Sequence, residues 1–420
     1  MVDLSDDRVG EATGWRYAYL LVQAGLSLVL FVGLAAVLPG SAFAICAVAL
    51  GALVAVQAVA DFGFSQAAMV ALPNPAAAGA PLPPAVLEAG IARLVLAGAG
   101  AALAGTCLLA LVVPEPARPA LVAIAPASAL AVVVAGVDGL LRAGGRFRRP
   151  VLLVAASRLG GLVAIAVGAA TGDAAVTCAA VSAGILLGSA PALHELAKRW
   201  RAADGRPAVR PLLRVAAPLG ASNLCIVASA RINTIVLGAA ASITSAAVFE
   251  SAWRVFQVGQ YALGAAATAI APFVAAGLSD PARSGPLLHR RMRRTALTML
   301  LGGCALGAAV VALRHPLADV VSGAGADAVA RSLLLLGPAM PVGLLLLFAT
   351  ITLSAASPRD RLWVLGAYAG GAGVNLVAVL LLAGGSPDIA GAAASALGMC
   401  VTFAIVAPRL RQLFGRIRPG

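Results

Sequence analysis

Residues 120–170 read ALVAIAPASALAVVVAGVDGLLRAGGRFRRPVLLVAASRLGGLVAIAVGAA, which is two apolar segments on either side of a short basic loop. Each segment, Ala120–Leu141 and Val151–Ala170, has about the 20 residues that an α-helix needs to cross a bilayer. The loop between them carries four arginines within Arg142–Arg149. Short loops rich in Lys and Arg stay on the cytoplasmic side. This stretch therefore predicts a helical hairpin in a membrane, with its loop in the cytoplasm.

The rest of the chain repeats this pattern, except that the gap Pro73–Ala89 should be on the basic side but has no Lys or Arg. Twenty-two of the 30 Lys and Arg residues lie at the start of the chain or in alternate gaps between apolar segments. An even number of spans puts both termini on one side, and the basic gaps identify that side as the cytoplasm. The twelve predicted spans are Tyr17–Leu38, Ser41–Gly63, Gly90–Val113, Ala120–Leu141, Val151–Ala170, Ala174–Leu193, Leu212–Ala239, Ile243–Ala276, Ala296–Leu313, Ser332–Leu353, Leu362–Ala383 and Ile389–Ala407.

The composition excludes a soluble protein. The chain is 61% hydrophobic and 11% charged, and its mean hydropathy is +0.97. Soluble proteins have roughly 25% charged residues and cannot bury this much apolar surface. The net charge of +13 does not indicate nucleic acid, because the arginines lie at the ends of membrane segments and not along one polar face. They are better explained as topology signals and contacts to anionic lipids.

A polar, basic loop near the middle, Glu195–Pro211, divides the chain into two halves of six spans. We therefore predict an all-α polytopic membrane protein with two six-helix bundles around a central cavity. The second span of each half is unusually long, since Ser41–Leu72 and Ile243–Ala276 stay largely apolar, which hints at the internal repeat that many transporters have. The predicted divisions are residues 1–200 for the first bundle, 201–211 for a basic linker, 212–407 for the second bundle and 408–420 for a basic tail.

The eighth span is the most polar. Glu250, Arg254, Gln257 and Tyr261 fall at i, i+4, i+7 and i+11, which puts them on one face of a helix. Charged groups at bilayer depth are costly and usually line a pathway. One interpretation is therefore a hydrophilic stripe along a cavity. The alternative is a Glu250–Arg254 pair that only neutralises itself.

Other spans add further candidates. The seventh carries Asn223, Arg231 and Asn233, although Asn233 points about 160° away from Arg231 on an ideal helix. Each could instead be a helix–helix contact. Arginine suits a phosphate-bearing ligand because its planar donors pair with oxyanions bidentately. The predicted substrate-binding residues are Arg231, Arg254, Arg158, Asn223, Gln257, Tyr261 and Gln57, and the candidates for ion coupling are Glu250, Asn233 and Asp61.

The sequence has no residue pattern typical of an enzyme active site or of a metal site. The six cysteines all lie in apolar segments without a CxxC spacing, and the three histidines form no cluster. The acids of the predicted external loops are scattered, one or two per loop. We therefore expect no catalytic residue, no metal and no cofactor beyond a coupling ion, for which a proton and a sodium ion are the candidates.

Three places carry a family resemblance. The first is Ala60-Asp61-Phe62-Gly63-Phe64-Ser65-Gln66-Ala67, at the end of the second span. The second is Asn233-Thr234-Ile235-Val236-Leu237-Gly238, followed by Ala247-Val248-Phe249-Glu250-Ser251-Ala252-Trp253-Arg254. The third is Ala271-Pro272, which closes the eighth span. Together they resemble the multidrug/oligosaccharidyl-lipid/polysaccharide (MOP) exporter superfamily, and most of all its Wzx-type polysaccharide flippases. The chain departs from that pattern at four positions: Asn233 replaces an Asp, Thr234 a basic residue, Ala247 a Gly and Phe249 a Tyr.

The resemblance implies a function. It implies that the protein moves undecaprenyl-diphosphate-linked glycans across the bacterial cytoplasmic (inner) membrane, with arginines in the cavity holding the diphosphate. The implied partners are this lipid-linked oligosaccharide and membrane lipids, and a polysaccharide polymerase and chain-length proteins are candidates; nucleic acid is not expected. A multidrug or cation antiporter of the same superfamily is the nearest alternative, and a membrane glycosyltransferase or polymerase is a more distant one.

Overall fold

The computed structural model describes residues 6–72, 83–201, 209–279, 281–322, 325–356 and 358–417. All regular structure in these ranges is helical, as predicted. A single 3-10 turn, Glu115–Ala117, accompanies fifteen α-helices. They are α1 (Asp6–Val37), α2 (Gly40–Asp61), α3 (Phe64–Ala71), α4 (Pro84–Val112), α5 (Arg118–Ala143), α6 (Arg148–Gly161), α7 (Val163–Thr171), α8 (Ala174–Arg201), α9 (Val209–Ala240), α10 (Ile243–Ser279), α11 (Pro281–Ala312), α12 (Arg314–Val321), α13 (Ala326–Ala356), α14 (Pro358–Ala383) and α15 (Pro387–Ile417).

The chain forms two compact units, Met1–Val227 and Ala228–Gly420. The division falls inside α9, whereas most of the predicted linker 201–211 lies outside the described residues. The predicted domain boundaries therefore stay a prediction. In the first unit, α5 is the central helix and packs against α2, α3, α4 and α8. Buried side chains occur along its whole length, from Leu121 to Leu141.

The second unit repeats this arrangement. Its central helix is α13, which packs against α10, α11 and α15, while α14 and α15 form a close pair. In each unit the central helix is the fourth membrane-spanning one. The two units therefore share a packing arrangement, as an internal repeat predicts.

Ten of the described helical segments are long and apolar enough to cross a membrane. The helices α9 and α10 occupy the seventh and eighth predicted spans, and their side chains are described only in part. Large apolar side chains also face outward: Val112 is 77% exposed, and Leu187 and Leu381 are each 78% exposed. On ten helices of this length and hydropathy, such a surface fits contact with lipid. The protein is therefore a multi-pass membrane protein.

The predicted span Ser41–Gly63 corresponds to α2, but the prediction of one unusually long helix from Ser41 to Leu72 is wrong. The helix α2 ends at Asp61, and the chain turns through Phe62 and Gly63 with φ of 39° and 75° before α3 begins. Such left-handed backbone ends a helix and is tolerated by glycine far better than by other residues. A Cβ on Gly63 would also lie 2.7 Å from the backbone nitrogen of Gly220 on α9. Both backbone conformation and close packing therefore require glycine at the turn. The corresponding helix of the second unit, α10, is continuous over 37 residues.

The fifth span is interrupted as well. It consists of α6 and α7, which meet at Leu162 directly after Gly160 and Gly161. A Cβ on Gly160 would come within 2.0 Å of the carbonyl oxygen of Gly184 on α8. The two backbones therefore touch at this crossing, which is the role that small residues have in membrane helix pairs.

Candidate functional site: a buried cationic cluster

A group of five polar side chains lies inside the second unit, and Glu250 is at its centre. The carboxylate of Glu250 is fully buried on α10. Arg231 Nη1 on α9 donates to both of its oxygens, at 2.6 and 2.8 Å. Arg254 Nη2 lies 3.0 Å from Oε1, and Thr234 Oγ1 donates to Oε2 at 3.1 Å. We call Arg231, Thr234, Glu250, Arg254 and Gln257 the Glu250 cluster.

Helical spacing assembles the cluster from two elements. Glu250, Arg254 and Gln257 share one face of α10, as their spacing predicted. Arg231 and Thr234 are three residues apart on α9 and so face the same way. Arg231 also reaches along α10, since its Nη2 donates to Gln257 Oε1 at 3.3 Å. The sequence predicted the stripe and the contact between Glu250 and Arg254, but not the shorter contact with Arg231.

The cluster is positively charged overall. Its two guanidinium groups share a single carboxylate, so the formal charges of the five side chains sum to +1. The two arginines differ in access, because the side chain of Arg231 is 3% exposed and that of Arg254 is 12% exposed. Arg254 is therefore the arginine that a ligand reaches more readily. An arginine stays protonated and positively charged in proteins, so it is a stable anchor for an anion.

An aromatic column lies beside the cluster on α10. Phe249, Trp253 and Phe256 are buried, and their rings stack with centroids 5.8 and 5.0 Å apart. Each of these aromatic residues directly precedes a polar residue of the cluster in the sequence of α10. The three rings therefore form a buried apolar face of α10 next to the polar face of the cluster.

Asn233 is not part of the cluster. Its side chain is fully buried, and Nδ2 donates to Gly391 O at 3.0 Å and to Ser395 Oγ at 2.7 Å. Both partners belong to α15, so Asn233 joins α9 to that helix. This placement agrees with the angle of about 160° from Arg231 on an ideal helix. Tyr261 is partly exposed one turn beyond Gln257, and the side chain of Asn223 lies outside the described residues.

Two other predicted residues, Gln57 and Arg158, lie together in the first unit. They line one small cavity with Tyr19, Gln23 and Ser157. Tyr19, Gln23 and Ser157 were not among the residues predicted from the sequence. Tyr19 and Gln23 are four residues apart on α1, so the same helical spacing that revealed the stripe on α10 was available there.

Asp61, the third coupling candidate, caps a helix. Its Oδ2 accepts a hydrogen bond from Ser65 Oγ at 2.7 Å, and its Oδ1 accepts one from Ser65 N at 3.3 Å. Ser65 lies in the first turn of α3, where backbone N–H groups lack partners within the helix. The carboxylate therefore satisfies the start of α3 across the Phe62–Gly63 turn.

The remaining charges in apolar spans have structural partners. Arg142 bonds to Asp138, as predicted. Glu88 pairs with Arg199 at 2.7 Å. The guanidinium of Arg93 lies 5.2 Å from the ring centroid of Trp200. The first contact lies within α5, and the other two join α4 to α8, so these residues need no ligand to explain them.

Comparison with known proteins identifies the family. A family model described as "polysaccharide biosynthesis protein" matches residues 9–277, well over half of the chain. The chain belongs to the polysaccharide biosynthesis protein family. A search of curated proteins finds no match to the chain.

Solved structures similar to this polysaccharide biosynthesis family member are transporters of the MOP superfamily. An inward-facing multidrug resistance MATE family transporter has a TM-score of 0.68 at 15% identity, covering 96% of this chain and 98% of that one. A MATE transporter from Vibrio cholerae has a TM-score of 0.66 at 16% identity, covering 97% and 98%. A MOP superfamily transporter from Pyrococcus furiosus, described by a binding pocket of reversed polarity that suggests a different function, has a TM-score of 0.64 at 14% identity, covering 97% and 96%.

These similarities confirm the predicted superfamily and the twelve-helix fold of two six-helix units. Both family and fold are those of membrane transporters. At such low identity the solved structures show the fold alone. The central cavity between the units, and the roles of the individual site residues, stay predictions.

Proposed function

We propose that this protein is a lipid-linked oligosaccharide flippase. It takes undecaprenyl-diphosphate glycan units on the cytoplasmic side of the bacterial inner membrane and releases them outside by alternating access. It moves this substrate without changing a covalent bond. The proposed orientation has both termini in the cytoplasm, as the basic loops predict. A polysaccharide polymerase and chain-length proteins are its proposed partners, since they would use the glycan it delivers.

The observation that carries this proposal is the excess positive charge of the Glu250 cluster. A buried guanidinium is costly at bilayer depth unless an anion accompanies it. Within the Glu250 cluster, Arg231 and Arg254 share one carboxylate. A diphosphate would add negative charge beside them and accept the paired N–H groups of a guanidinium bidentately. The family's link to polysaccharide biosynthesis suggests the lipid-linked glycan as the carrier of that diphosphate.

A multidrug antiporter is the alternative that the fold leaves open, because MATE transporters are among the similar structures. Cationic drugs need an acidic or apolar site. The Glu250 cluster has the opposite charge, so it would repel such drugs. The transporter from Pyrococcus furiosus is described as having reversed pocket polarity and a different function, which supports using polarity to separate substrates within this fold.

The proposed coupling site is Glu250, with a proton or a sodium ion as the driving ion. Its carboxylate contacts both arginines, so its charge would influence how strongly they hold an anion. Asp61 already accepts two hydrogen bonds from Ser65, and Asn233 carries no titratable group. Glu250 is therefore the better placed of the three predicted coupling residues.

The test is translocation of a fluorescent undecaprenyl-diphosphate oligosaccharide in proteoliposomes. We expect Arg254→Ala to lower the rate about tenfold to a hundredfold, because a hydrogen bond to a charged group contributes roughly 1.5–3 kcal/mol. Arg254→Lys should restore part of the rate, since it keeps the charge but loses the bidentate geometry. Arg331→Ala is the matched control, because that arginine is 60% exposed and pairs with Asp388 away from the cluster.

Two results would reject the proposal. One is wild-type translocation by Arg254→Ala. The other is an absence of lipid-linked oligosaccharide translocation by the wild-type protein, combined with gradient-driven export of a cationic dye, which would favour the multidrug antiporter.

A further inference from the structure

Two cysteines from distant parts of the sequence meet inside the first unit. Cys46 on α2 and Cys178 on α8 are 132 positions apart, and Cys178 Sγ donates to Cys46 Sγ at 3.8 Å. Cys46 Sγ in turn donates to Ala174 O, in the first turn of α8, at 3.6 Å. Both cysteines are free thiols with 1% of their surface exposed. Their spacing in the sequence gives no sign of a pair, since the contact exists only where α2 packs against α8.

The two thiols lie near one end of the unit. Cys46 is in the second turn of α2 and Cys178 is in the second turn of α8, about 9 and 6 Å from the helix starts. Those starts are adjacent, because a Cβ on Gly172 would lie 3.8 Å from the ring of Pro39. Both loops are on the side that the basic gaps predict to be outside. Disulfides form and persist in oxidising compartments such as the bacterial periplasm, which is the space outside the proposed membrane.

The geometry allows the two sulfur atoms to bond. A disulfide has an S–S distance of about 2.05 Å, so the present gap has to close by roughly 1.8 Å. Neighbouring χ1 rotamers place a cysteine Sγ about 3 Å apart, so rotation of the side chains is sufficient. Among the described residues, no group of three or more His, Cys, Asp or Glu side chains could hold a metal ion. Metal binding at a cluster of that kind therefore does not explain the pair.

We propose that Cys46 and Cys178 are an oxidisable dithiol, and that their disulfide joins α2 to α8 at the outer end of the first unit. The oxidant is a disulfide on the outer side of the membrane. One cysteine thiolate attacks a sulfur of that oxidant and releases a thiolate, and the second cysteine thiolate then attacks the resulting mixed disulfide and releases the other. One S–S bond breaks in the oxidant and one forms in the protein, while the two protons of the cysteines end on the two thiols of the oxidant.

The bond would be a lasting one. The folded unit buries both sulfur atoms, so the exchange precedes the final packing of α2 against α8, and the packed helices then shield the bond from reductants. The dithiol shares no residue with the Glu250 cluster and lies wholly within the first unit. The inference therefore does not depend on the proposed function.

Thiol trapping tests the bond in a variant that keeps only these two cysteines, with Ser at Cys107, Cys225, Cys304 and Cys400. Membranes are dissolved in SDS with N-ethylmaleimide, which blocks free thiols; the protein is then reduced and labelled with polyethylene-glycol maleimide. We expect most chains to gain two labels on a gel. Adding Cys46→Ser or Cys178→Ser should lower the labelling about tenfold, because the remaining thiol has no partner in its own chain. Mass spectrometry of the wild-type protein, searching for the peptide that links Cys46 to Cys178, repeats the test without any substitution.

Thermal unfolding in detergent shows whether the bond fits the native fold. A cross-link between residues so far apart constrains the unfolded chain strongly. We expect the oxidised protein to melt about 4–16 °C above the same protein reduced with dithiothreitol. Both single Ser variants should melt with the reduced form. An oxidised form that melts below the reduced form would mean that the bond forms only in a distorted protein, and it would overturn the proposal.

Copper–phenanthroline, a lipophilic oxidation catalyst, completes the test on the folded protein. The proposal is overturned if the extracted protein contains no linked form and this reagent creates none. If only copper–phenanthroline creates the link, the dithiol is supported and an external disulfide as its oxidant is rejected. A linked form in the extracted protein supports both.

Discussion

Glu250→Gln is the substitution that tests the buried cluster most directly. The change keeps the size of the side chain and one carbonyl oxygen, but it removes the negative charge. In the native protein four contacts end on this carboxylate: two from Arg231, one from Arg254 and one from Thr234. After the change, two guanidinium groups face each other inside the membrane with no anion between them.

The size of the effect follows from that loss. Removing one partner of a buried ion pair costs about 3–5 kcal/mol, because the other charge is left uncompensated. For a unit of about 200 residues, each kcal/mol lowers the thermal midpoint by roughly 2–4 °C. We therefore expect Glu250→Gln to lower the midpoint by about 6–20 °C. Glu250→Asp keeps the charge, so it should lower the midpoint much less.

Tryptophan fluorescence during heating in detergent is the assay, since Trp253 stacks between Phe249 and Phe256 beside the cluster. The double variant Glu250→Gln with Arg231→Gln removes a charge of each sign. We expect it to be more stable than Glu250→Gln alone, because residues in one network couple by about 0.5–3 kcal/mol. The reasoning is refuted if Glu250→Gln melts within about 2 °C of the wild type, or if the second substitution adds a further full loss.

Three further predictions test other parts of the molecule. Asn233→Asp, which introduces the residue common in the superfamily, should lower the thermal midpoint. A carboxylate cannot donate the two hydrogen bonds that Asn233 makes to α15, and each is worth about 1–3 kcal/mol when buried. An unchanged midpoint would contradict this role. Gly63→Ala should destabilise more than Gly145→Ala, since both have positive φ but only the first would push a Cβ into the backbone of α9; equal effects would mean that conformation alone matters. In a cysteine-free background, cysteines at Asp173 and Gly385 should react with impermeant reagents from outside and one at Gly145 only from inside, and any reversal would overturn the orientation.

The sequence was sufficient for the helical spans because their signal is local. A segment of about 20 apolar residues has to form a helix that satisfies its own backbone in lipid. The predicted span Ala174–Leu193 therefore lies inside α8, and Ile243–Ala276 lies inside α10. The helices extend beyond the predicted spans into the basic segments, since Lys198, Arg199 and Arg201 lie in the last turn of α8.

The breaks within spans could not be predicted from composition. Residues 41–72 are largely apolar. The turn at Phe62 and Gly63 depends on a neighbour, α9, that approaches the backbone of Gly63. The break at Leu162 likewise lies beside the close contact between Gly160 and Gly184. Both depend on tertiary packing between helices that are far apart in sequence.

The part of the candidate site that lies on one helix could be predicted, but the contacts between helices could not. Spacing along one helix revealed that Glu250, Arg254 and Gln257 share a face. It could not reveal that Arg231, on another helix, makes the shorter contact with Glu250. Spacing also separated Asn233 from Arg231, but only the structure gives Asn233 its partners on α15.

The contact between Arg231 and Glu250 changes what ion coupling at this site would require. With Arg254 as its sole partner, Glu250 would become a lone buried anion whenever that arginine turned to a diphosphate, and a cation would have to enter. Arg231 stays bonded to both carboxylate oxygens, so the pair remains neutral when Arg254 leaves. Substrate loading alone therefore creates no strong demand for a proton or a sodium ion. Coupling through Glu250 needs a second step in which α9 withdraws Arg231 from α10, and the movement of these two helices is where substrate and ion would meet.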